Sequence, residues 1–258
     1  MKIAVIQLNS QADIEANLDT IRMFTEHAVG TYKSQLVALP EYALCLTGDR
    51  ARSAASAQFL DDSAPLAALS SLAAKHRIHL HLGGVVERTK DGRFYNTSVL
   101  FGPEGHILST YRKIHLFATE EPAWVNSVIH NEGSHLTPGE DLRHFRVGDT
   151  LFGQTICYDL RFPDQFEQLR SLGARVVMAP SAFTEVTGRK DWKRLIQDRA
   201  RENGVYVVAA NQCGLFDSGS YASWGRSMVA DPEGNVIAEA GNAPTVLDVT
   251  LPFEIPAA

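Results

Sequence analysis

The sequence lacks several features that would place it in common classes of protein. No apolar run approaches the length of a membrane span, and the N-terminus, MKIAVIQLNS, enters a predicted strand directly. Three cysteines in 258 residues match no zinc-motif spacing and are too few for a disulfide scaffold, which fits a reducing compartment. A net charge of −6 gives no electrostatic basis for binding nucleic acid or anionic membranes. We therefore expect a cytoplasmic protein with neither kind of partner.

The chain also lacks a glycine-rich phosphate-binding fingerprint after the first strand of either half. A nucleotide-binding doubly wound fold is therefore not expected. The 45% hydrophobic content is enough for a large core, and the length suits one core better than two. We predict a single α/β domain over residues 1–258.

Hydrophobic periodicity predicts strands alternating with helices, with antiparallel hairpins added to each half. Asp13 is the predicted N-cap of the first helix, and 114–141 is a long polar stretch typical of a lid or binding loop. The predicted strands are 2–8, 35–39, 78–86, 93–101, 106–111, 142–147, 151–156, 175–179, 205–210, 224–230 and 234–239, and the later helices are 66–76, 164–172 and 190–203, with a Gly/Ser-rich loop before 224. This order favours two mixed sheets packed face to face with helices outside.

Three residues with catalytic side chains stand at predicted strand ends. Cys157 follows an apolar strand and precedes a predicted helix, where backbone N–H groups favour a thiolate and can bind an oxyanion. Glu41 follows a second strand in VALPEYAL, and Lys113 ends a third in STYRKIHLF. Because α/β sheets form their sites outside the carboxyl ends of strands, we expect these side chains to meet.

Together the three residues can cleave an amide or a nitrile. A thiol that attacks the substrate carbon must lose its proton, and a buried carboxylate of raised pKa can accept it. The ammonium of Lys113 can hold Glu41 in place and stabilise the developing oxyanion, with the Tyr158 N–H as second donor. Taken singly, Glu41 is more typical of a solvated loop acid, Lys113 of a surface charge and Cys157 of a buried small hydrophobe.

Two other constellations offer different chemistry. His79 and His81 share one face of a predicted strand, as in some zinc sites, although no further ligand stands at a matching spacing. His115 could form a Cys–His dyad with Cys157, but that arrangement leaves Glu41 and Lys113 without a role. Cys45 and Cys213 have no paired base and are predicted to be packing residues.

Five segments resemble the nitrilase superfamily, the carbon–nitrogen hydrolases, in their order and spacing. They are LPEYAL, YRKIHLF, ICYDLRFPD, APSAF and NQCG, and the resemblance runs from Lys2 to Val249. It implies a Glu41-Lys113-Cys157 triad in a four-layer αββα sandwich that needs no cofactor or metal. It also implies a homodimer paired through its helices, although the short C-terminus, LPFEIPAA, leaves the oligomeric state open.

The resemblance implies further site residues. Glu132, before Leu136-Thr137-Pro138-Gly139, matches a second family glutamate that holds the lysine or assists proton transfer to ammonia. The implied walls of the substrate pocket are Tyr42, Ser181, Phe183 and Thr184. Arg161 and Asp159 are expected to form ion pairs that shape the turn after Cys157, and Arg161 could instead face an anionic substrate.

Much of the chain resembles the amidase branch that contains ω-amidase and deaminated glutathione amidase. The implied substrate is a small primary amide with a distal carboxylate, and N-carbamoyl amino acids are the alternative. Asp191, where the branch has histidine, and the unusual segment 117–133 leave the exact substrate open. The residues after Cys157 are of the amidase kind, so simple nitriles are not expected to react. A non-catalytic, metabolite-binding member remains the alternative of another class.

Overall fold

The computed structural model describes residues 1–118 and 131–254. Its strands are β1 Lys2–Gln7, β2 Leu36–Ala38, β3 His79–Arg88, β4 Phe94–Phe101, β5 Ile107–Arg112, β6 His144–Val147, β7 Thr150–Gln154, β8 Val176–Met178, β9 Tyr206–Ala209, β10 Cys213–Phe216, β11 Tyr221–Trp224, β12 Met228–Ala230, β13 Val236–Glu239 and β14 Thr245–Thr250. Its α-helices are α1 Ile14–His27, α2 Arg50–Ala55, α3 Ala64–His76, α4 Pro163–Ser171 and α5 Glu185–Asn203. In this described part, no helix is long and apolar enough to cross a membrane.

Two six-stranded mixed sheets carry most of the strands. The first has the order β14-β1-β2-β3-β4-β5 and the second β13-β12-β9-β8-β7-β6. In each sheet three central strands run parallel and the outer strands pair antiparallel. The predicted mixture of parallel crossovers and hairpins is thus confirmed.

Three apolar clusters define four layers. One joins the first sheet to α1 and α3 through residues such as Ile21 and Leu69. Another joins the second sheet to α4 and α5, with Phe166 and Trp192 at its centre. The third lies between the sheets and includes Val5, Phe152 and other alternate strand residues. Because each buried strand presents apolar residues to both faces, the sheets bury one face on helices and the other on each other. This is the αββα sandwich that the sequence predicts.

Several local elements differ from the sequence prediction. The predicted strand 224–230 is wrong, because Gly225 and Arg226 have φ values of 72° and 59°, which end β11 before β12 begins. The predicted Gly/Ser-rich loop contains the antiparallel β10–β11 hairpin. Helix α5 begins before residue 190 because the Thr184 side chain accepts a hydrogen bond from the Thr187 N–H and caps it.

Candidate active site

The three predicted catalytic residues follow strands that end at one edge of the sandwich. Glu41 lies after β2, Lys113 directly after β5 and Cys157 after β7. The Lys113 N–H donates to the Asn96 carbonyl, and the Cys157 N–H donates to the Pro180 carbonyl, each at 2.8 Å. Cys157 has a φ of 50°, an unusual value for a non-glycine residue, at the start of a 3₁₀ turn Cys157–Arg161. This turn presents the thiol to the cavity.

Lys113 is the centre of a buried ionic chain. Its Nζ lies 2.8 Å from Glu41 Oε1 and 2.8 Å from Glu132 Oε2, and its side chain is only 1% exposed. Asn96 Nδ2 donates to Glu41 Oε1 at 2.8 Å. A buried lysine is stable when its charge is paired and hydrogen-bonded, as it is here. The structure therefore brings Glu41, Lys113 and Glu132 into direct contact.

The two carboxylates differ in their other partners. Glu132 also accepts hydrogen bonds from the Tyr42 hydroxyl and from the Phe117 N–H, the latter at 2.7 Å. Burial acts to raise the pKa of Glu132, but Lys113 and these donors outweigh it, so the pKa lies below its usual range. Burial raises the pKa of Glu41, and the charge of Glu132 adds to that effect while Lys113 opposes it. Glu41 is therefore the more basic carboxylate and the better proton acceptor.

The Cys157 thiol is protonated in the resting site. Burial raises its pKa well above the usual value, and the charge of Glu41 adds to the rise while Lys113 opposes it. The expectation that the following helix favours a thiolate is wrong, because loss of solvation and the adjacent carboxylate dominate. Burial acts to lower the pKa of Lys113, but Glu132 and Glu41 outweigh it and keep the ammonium charged. The thiol therefore needs a base, and Glu41 is beside it.

The backbone after Cys157 is fixed by Asp159. This buried carboxylate accepts hydrogen bonds from the Ile156 N–H at 2.8 Å and from the Tyr111 hydroxyl at 2.6 Å. In the described part of the chain, no recorded hydrogen bond uses the Tyr158 N–H, which stays available to a substrate oxygen. His115 Nδ1 lies 2.8 Å from Asp159 Oδ1 and is not part of the cavity wall, so the geometry does not favour a Cys–His dyad.

A cavity of about 900 Å³, counted to its open mouth, contains the ionic chain and the thiol. Four of the five predicted substrate-binding residues line it: Tyr42, Arg161, Phe183 and Thr184. Ser181 does not, because it is fully buried and its hydroxyl donates to the Ala179 carbonyl. Asp159 and Arg161, predicted to form ion pairs that shape the turn, have partners elsewhere in the fold: Arg161 Nη2 lies 2.8 Å from Asp191 Oδ2, and Asp159 Oδ1 lies 2.8 Å from His115 Nδ1.

The sequence did not point to three residues that shape the site. Asn96 orients Glu41. Its position in the segment FYNTSVLF is the sequence feature that could have identified it. Gly84 lies in a bulge of β3, where a Cβ would be 2.7 Å from Asn96 Oδ1 and 3.3 Å from Glu41 Cγ. Arg50, the first residue of α2, lines the cavity. Cys45, predicted to be a packing residue, lies half-buried in the same wall.

The zinc alternative finds no support in the described ranges 1–118 and 131–254. They contain no group of three or more potential ligands among His, Cys, Asp and Glu. His81 is fully buried, and its ring centroid lies 6.0 Å from that of Phe145.

Comparison with known proteins identifies the family of this chain. The carbon–nitrogen hydrolase family model matches residues 2–254. The omega-amidase NIT3 of Saccharomyces cerevisiae is 34% identical over 261 residues, covering 99% of this chain and 88% of that protein. Deaminated glutathione amidase of Dictyostelium discoideum is 36% identical over 242 residues, covering 92% and 82%.

Solved structures share the fold. The crystal structure of Saccharomyces cerevisiae Nit3, described as a member of branch 10 of the nitrilase superfamily, has a TM-score of 0.85 at 32% identity and covers 96% of this chain and 89% of that one. A mutant of the amidase from Nesterenkonia sp. AN1, with acrylamide added at its active-site cysteine, has a TM-score of 0.82 at 26% identity, covering 98% and 93%. The resemblance read from the sequence is confirmed: this chain is an enzyme of the carbon–nitrogen hydrolase family.

Proposed function

We propose that this enzyme hydrolyses small primary amides that carry a distal carboxylate, releasing the carboxylic acid and ammonia through a cysteine thioester. The observation that carries the proposal is the Glu41–Lys113–Glu132 chain, which shares one cavity with the Cys157 thiol. A binding module has no need for a buried base beside a thiol. Amidase names among the similar proteins support the same reaction class.

In the first half-reaction, Glu41 takes the proton of the Cys157 thiol as sulfur attacks the amide carbon. Negative charge then develops on the amide oxygen, and the Lys113 ammonium and the Tyr158 N–H stabilise it. Protonated Glu41 gives its proton to the amide nitrogen as the carbon–nitrogen bond breaks. Ammonia leaves, and the acyl group remains on sulfur as a thioester.

In the second half-reaction, Glu41 accepts a proton from a water molecule as the water oxygen attacks the thioester carbon. The carbon–sulfur bond breaks, the thiol recovers its proton from Glu41, and the acid is released. No electron transfer occurs, so the cycle needs no redox cofactor. Residues Glu41, Lys113 and Cys157 act as the catalytic triad.

Glu132 has two roles consistent with its contacts. Its low pKa keeps it a carboxylate. It therefore holds the Lys113 ammonium in place and helps to keep it charged. It also stands where it can assist proton transfer to the leaving ammonia. Tyr42, Phe183 and Thr184 form the cavity wall around the acyl group. Ser181 is not part of this wall, because its side chain is fully buried and its hydroxyl donates to the Ala179 carbonyl.

The substrate class rests on the relatives and on cations at the cavity. The similar proteins include an omega-amidase and a deaminated glutathione amidase, both named for amides. N-carbamoyl amino acids are the second candidate, because they present an amide-like carbon and a carboxylate. We further propose a single-domain, cytoplasmic homodimer; the three free cysteines fit a reducing compartment.

The test is ammonia release from ω-amides, N-carbamoyl amino acids and nitriles, with intact-mass detection of an acyl adduct. We expect activity on ω-amides, loss of it in Cys157→Ala, and a fall of about 10²- to 10⁴-fold in Glu41→Gln. Cys213→Ala, which removes a buried thiol outside the cavity, is the matched control. Equal hydrolysis by wild type and Cys157→Ala rules out the thioester mechanism. Metabolite binding with no turnover and no adduct favours a non-catalytic role.

A further inference from the structure

Three cationic side chains line the cavity among the described residues: Lys113, Arg161 and Arg50. Two of them are neutralised within the protein. Lys113 lies between Glu41 and Glu132, at 2.8 Å from each. Arg161 pairs with Asp191 at 2.8 Å and stacks near the Tyr158 and Phe183 rings, at 5.7 and 6.0 Å from their centroids.

Arg50 differs from both because it has no carboxylate partner within residues 1–118 and 131–254. The nearby Asp49 side chain is engaged as the N-cap of α2, accepting hydrogen bonds from the Ala51 and Arg52 N–H groups at 2.8 and 3.1 Å. Asp49 and Asp217 carboxylates also lie 3.9 and 4.0 Å from the Arg52 guanidinium. Asp49 and Asp217 therefore interact with the start of α2 and with Arg52 rather than with Arg50.

The backbone that carries Arg50 is anchored, although its side chain is exposed. Asp217, in the β10–β11 turn, accepts hydrogen bonds from the Thr47 hydroxyl and the Gly48 N–H. This contact holds the start of α2 against the hairpin, so Arg50 and Ser53, three residues later, both reach the cavity. The charge of Arg50 also acts, after burial, to lower the pKa of His135 in the same wall.

We propose that Arg50 is the specificity-determining residue that binds the distal carboxylate of the substrate. The inference deepens the proposed function and rests on it. A guanidinium with no carboxylate partner among the described residues can form a bidentate pair with a substrate carboxylate without breaking any ion pair described there. The same residue gives an acidic protein, of net charge −6, a local cation at the mouth of its cavity.

The test compares monoamides of four- to six-carbon dicarboxylic acids with uncharged aliphatic amides of the same length. Wild type is expected to favour the carboxylate-bearing series in kcat/KM. Arg50→Ala is expected to lose about 10- to 100-fold of that preference, mainly through KM, with little change for uncharged amides. Arg50→Lys is expected to recover part of it, since a point charge lacks the paired geometry.

Arg52→Ala is the matched control. It removes the same charge two positions further along the chain, and the Arg52 side chain does not line the cavity. Its preference is expected to stay within about twofold of wild type, since exposed charges are screened by salt. Arg161→Ala is expected to affect charged and uncharged amides alike. If Arg50→Ala keeps the wild-type preference, or if the preference disappears only in Arg161→Ala, the assignment to Arg50 is wrong.

A binding measurement separates this inference from the proposed reaction. Glutarate is expected to slow alkylation of Cys157 by iodoacetamide more than pentanoate does, read by peptide mass spectrometry. The difference is expected to vanish in Arg50→Ala and to persist in Arg52→Ala. Equal protection by both acids in wild type overturns the inference. If glutarate selectively protects Cys157 but no amide is hydrolysed, Arg50 is still the residue that binds the carboxylate, and only the proposed hydrolysis is wrong.

Discussion

Glu41 and Glu132 both contact the Lys113 ammonium, but their other hydrogen bonds give the two carboxylates different pKa values. Glu132 accepts from the Tyr42 hydroxyl and the Phe117 N–H, whereas Glu41 has neither donor; the side-chain amide of Asn96 lies 2.8 Å from Glu41 and 3.5 Å from Glu132. Donors stabilise the ionised form, so Glu132 stays charged while burial leaves Glu41 basic. A site of this kind keeps its lysine protonated and still contains a carboxylate able to take a thiol proton.

These protonation states predict the pH dependence of kcat/KM. Glu41 must be ionised to act as base, and its pKa lies above the usual value of about 4.5. Activity is therefore expected to fall on acidification at a pH above that value. The pKa values of Cys157 and Lys113 lie well above their usual ranges, so neither group should cause a loss of activity up to about pH 9.

The measurement is a kcat/KM profile on an ω-amide from about pH 4 to pH 9.5, with an uncharged amide as control for substrate ionisation. An activity that rises with a thiol-like pKa near 8.5 would show instead that free thiolate is the reacting form. An acidic limb at the ordinary glutamate value would contradict the raised pKa of Glu41.

At the residue scale, sequence reasoning identified the proposed catalytic residues more readily than the residues that hold them in place. Glu41, Lys113 and Cys157 follow strands, and strand ends can be read from periodicity. The partners are set by tertiary approach: Asn96 reaches Glu41 across 55 positions of sequence, and Asp191 reaches Arg161 across 30. No local pattern encodes such pairings, so the sequence predicted that Asp159 and Arg161 form structural ion pairs but not with which partners.

At the element scale, a bulge in β3 lets this strand pack closely against the active site. Its register with β4 shifts between Leu82 and Val85, a bulge that includes Gly83 and Gly84. A Cβ at Gly83 would lie 2.3 Å from the Leu39 carbonyl oxygen, and one at Gly84 would lie 2.7 Å from Asn96 Oδ1. The two glycines therefore allow β3 to approach the segment that carries Glu41.

We predict that Gly84→Ala separates Asn96 from Glu41 and lowers kcat by up to about 100-fold, since small displacements of a catalytic group are costly. Overpacking should also reduce the free energy of unfolding by about 1–3 kcal/mol. Steady-state kinetics and urea unfolding measure the two effects. Gly30→Ala is the control, because a Cβ there meets nothing within 4 Å. Wild-type kinetics in Gly84→Ala would mean that Asn96 does not position the base.

The elements that periodicity failed to predict lie near the cavity mouth. Helix α2 has six residues and buries none of them, so it has no apolar stripe to detect. The β10–β11 hairpin turns through Asp217, Ser218 and Gly219, all with positive φ, and its Gly- and Ser-rich sequence is typical of a loop. Both are stabilised by contact with each other through Asp217 rather than by local propensity.

At the scale of the whole molecule, the sequence predicts two sheets packed face to face, and the fold shows which side chains meet between them. The order of strands and helices favoured this packing, but which residues of the two distant halves meet is set by tertiary packing rather than by local pattern. His81 shows the consequence. It lies opposite Leu100 in β4, in the first sheet, and its ring approaches that of Phe145 in the second. The sequence favoured a histidine either in the core or on the solvent face over a zinc ligand, and the structure buries His81 completely.

Burial of His81 predicts how stability depends on pH. In the described part of the chain neither ring nitrogen has a hydrogen-bond partner, and burial lowers the pKa to about 3 from the usual 6.5. The unfolded chain binds a proton below about pH 6.5, whereas the folded protein does not until about pH 3, so this residue lowers the free energy of unfolding as the pH falls through that range. The loss between about pH 6.5 and pH 5 should be about 2 kcal/mol.

His81→Leu removes this titration and leaves no unpaired polar group between the sheets, so its stability should fall less between pH 7 and pH 5 than that of wild type. Urea unfolding at the two pH values measures the difference. The carboxylates of the active site titrate in both proteins, so the difference between their slopes isolates His81. His106→Gln, at an exposed position, should retain the wild-type slope. If His81→Leu also retains it, the folded protein accommodates a charged imidazole between its sheets, and the inter-sheet layer must admit water there.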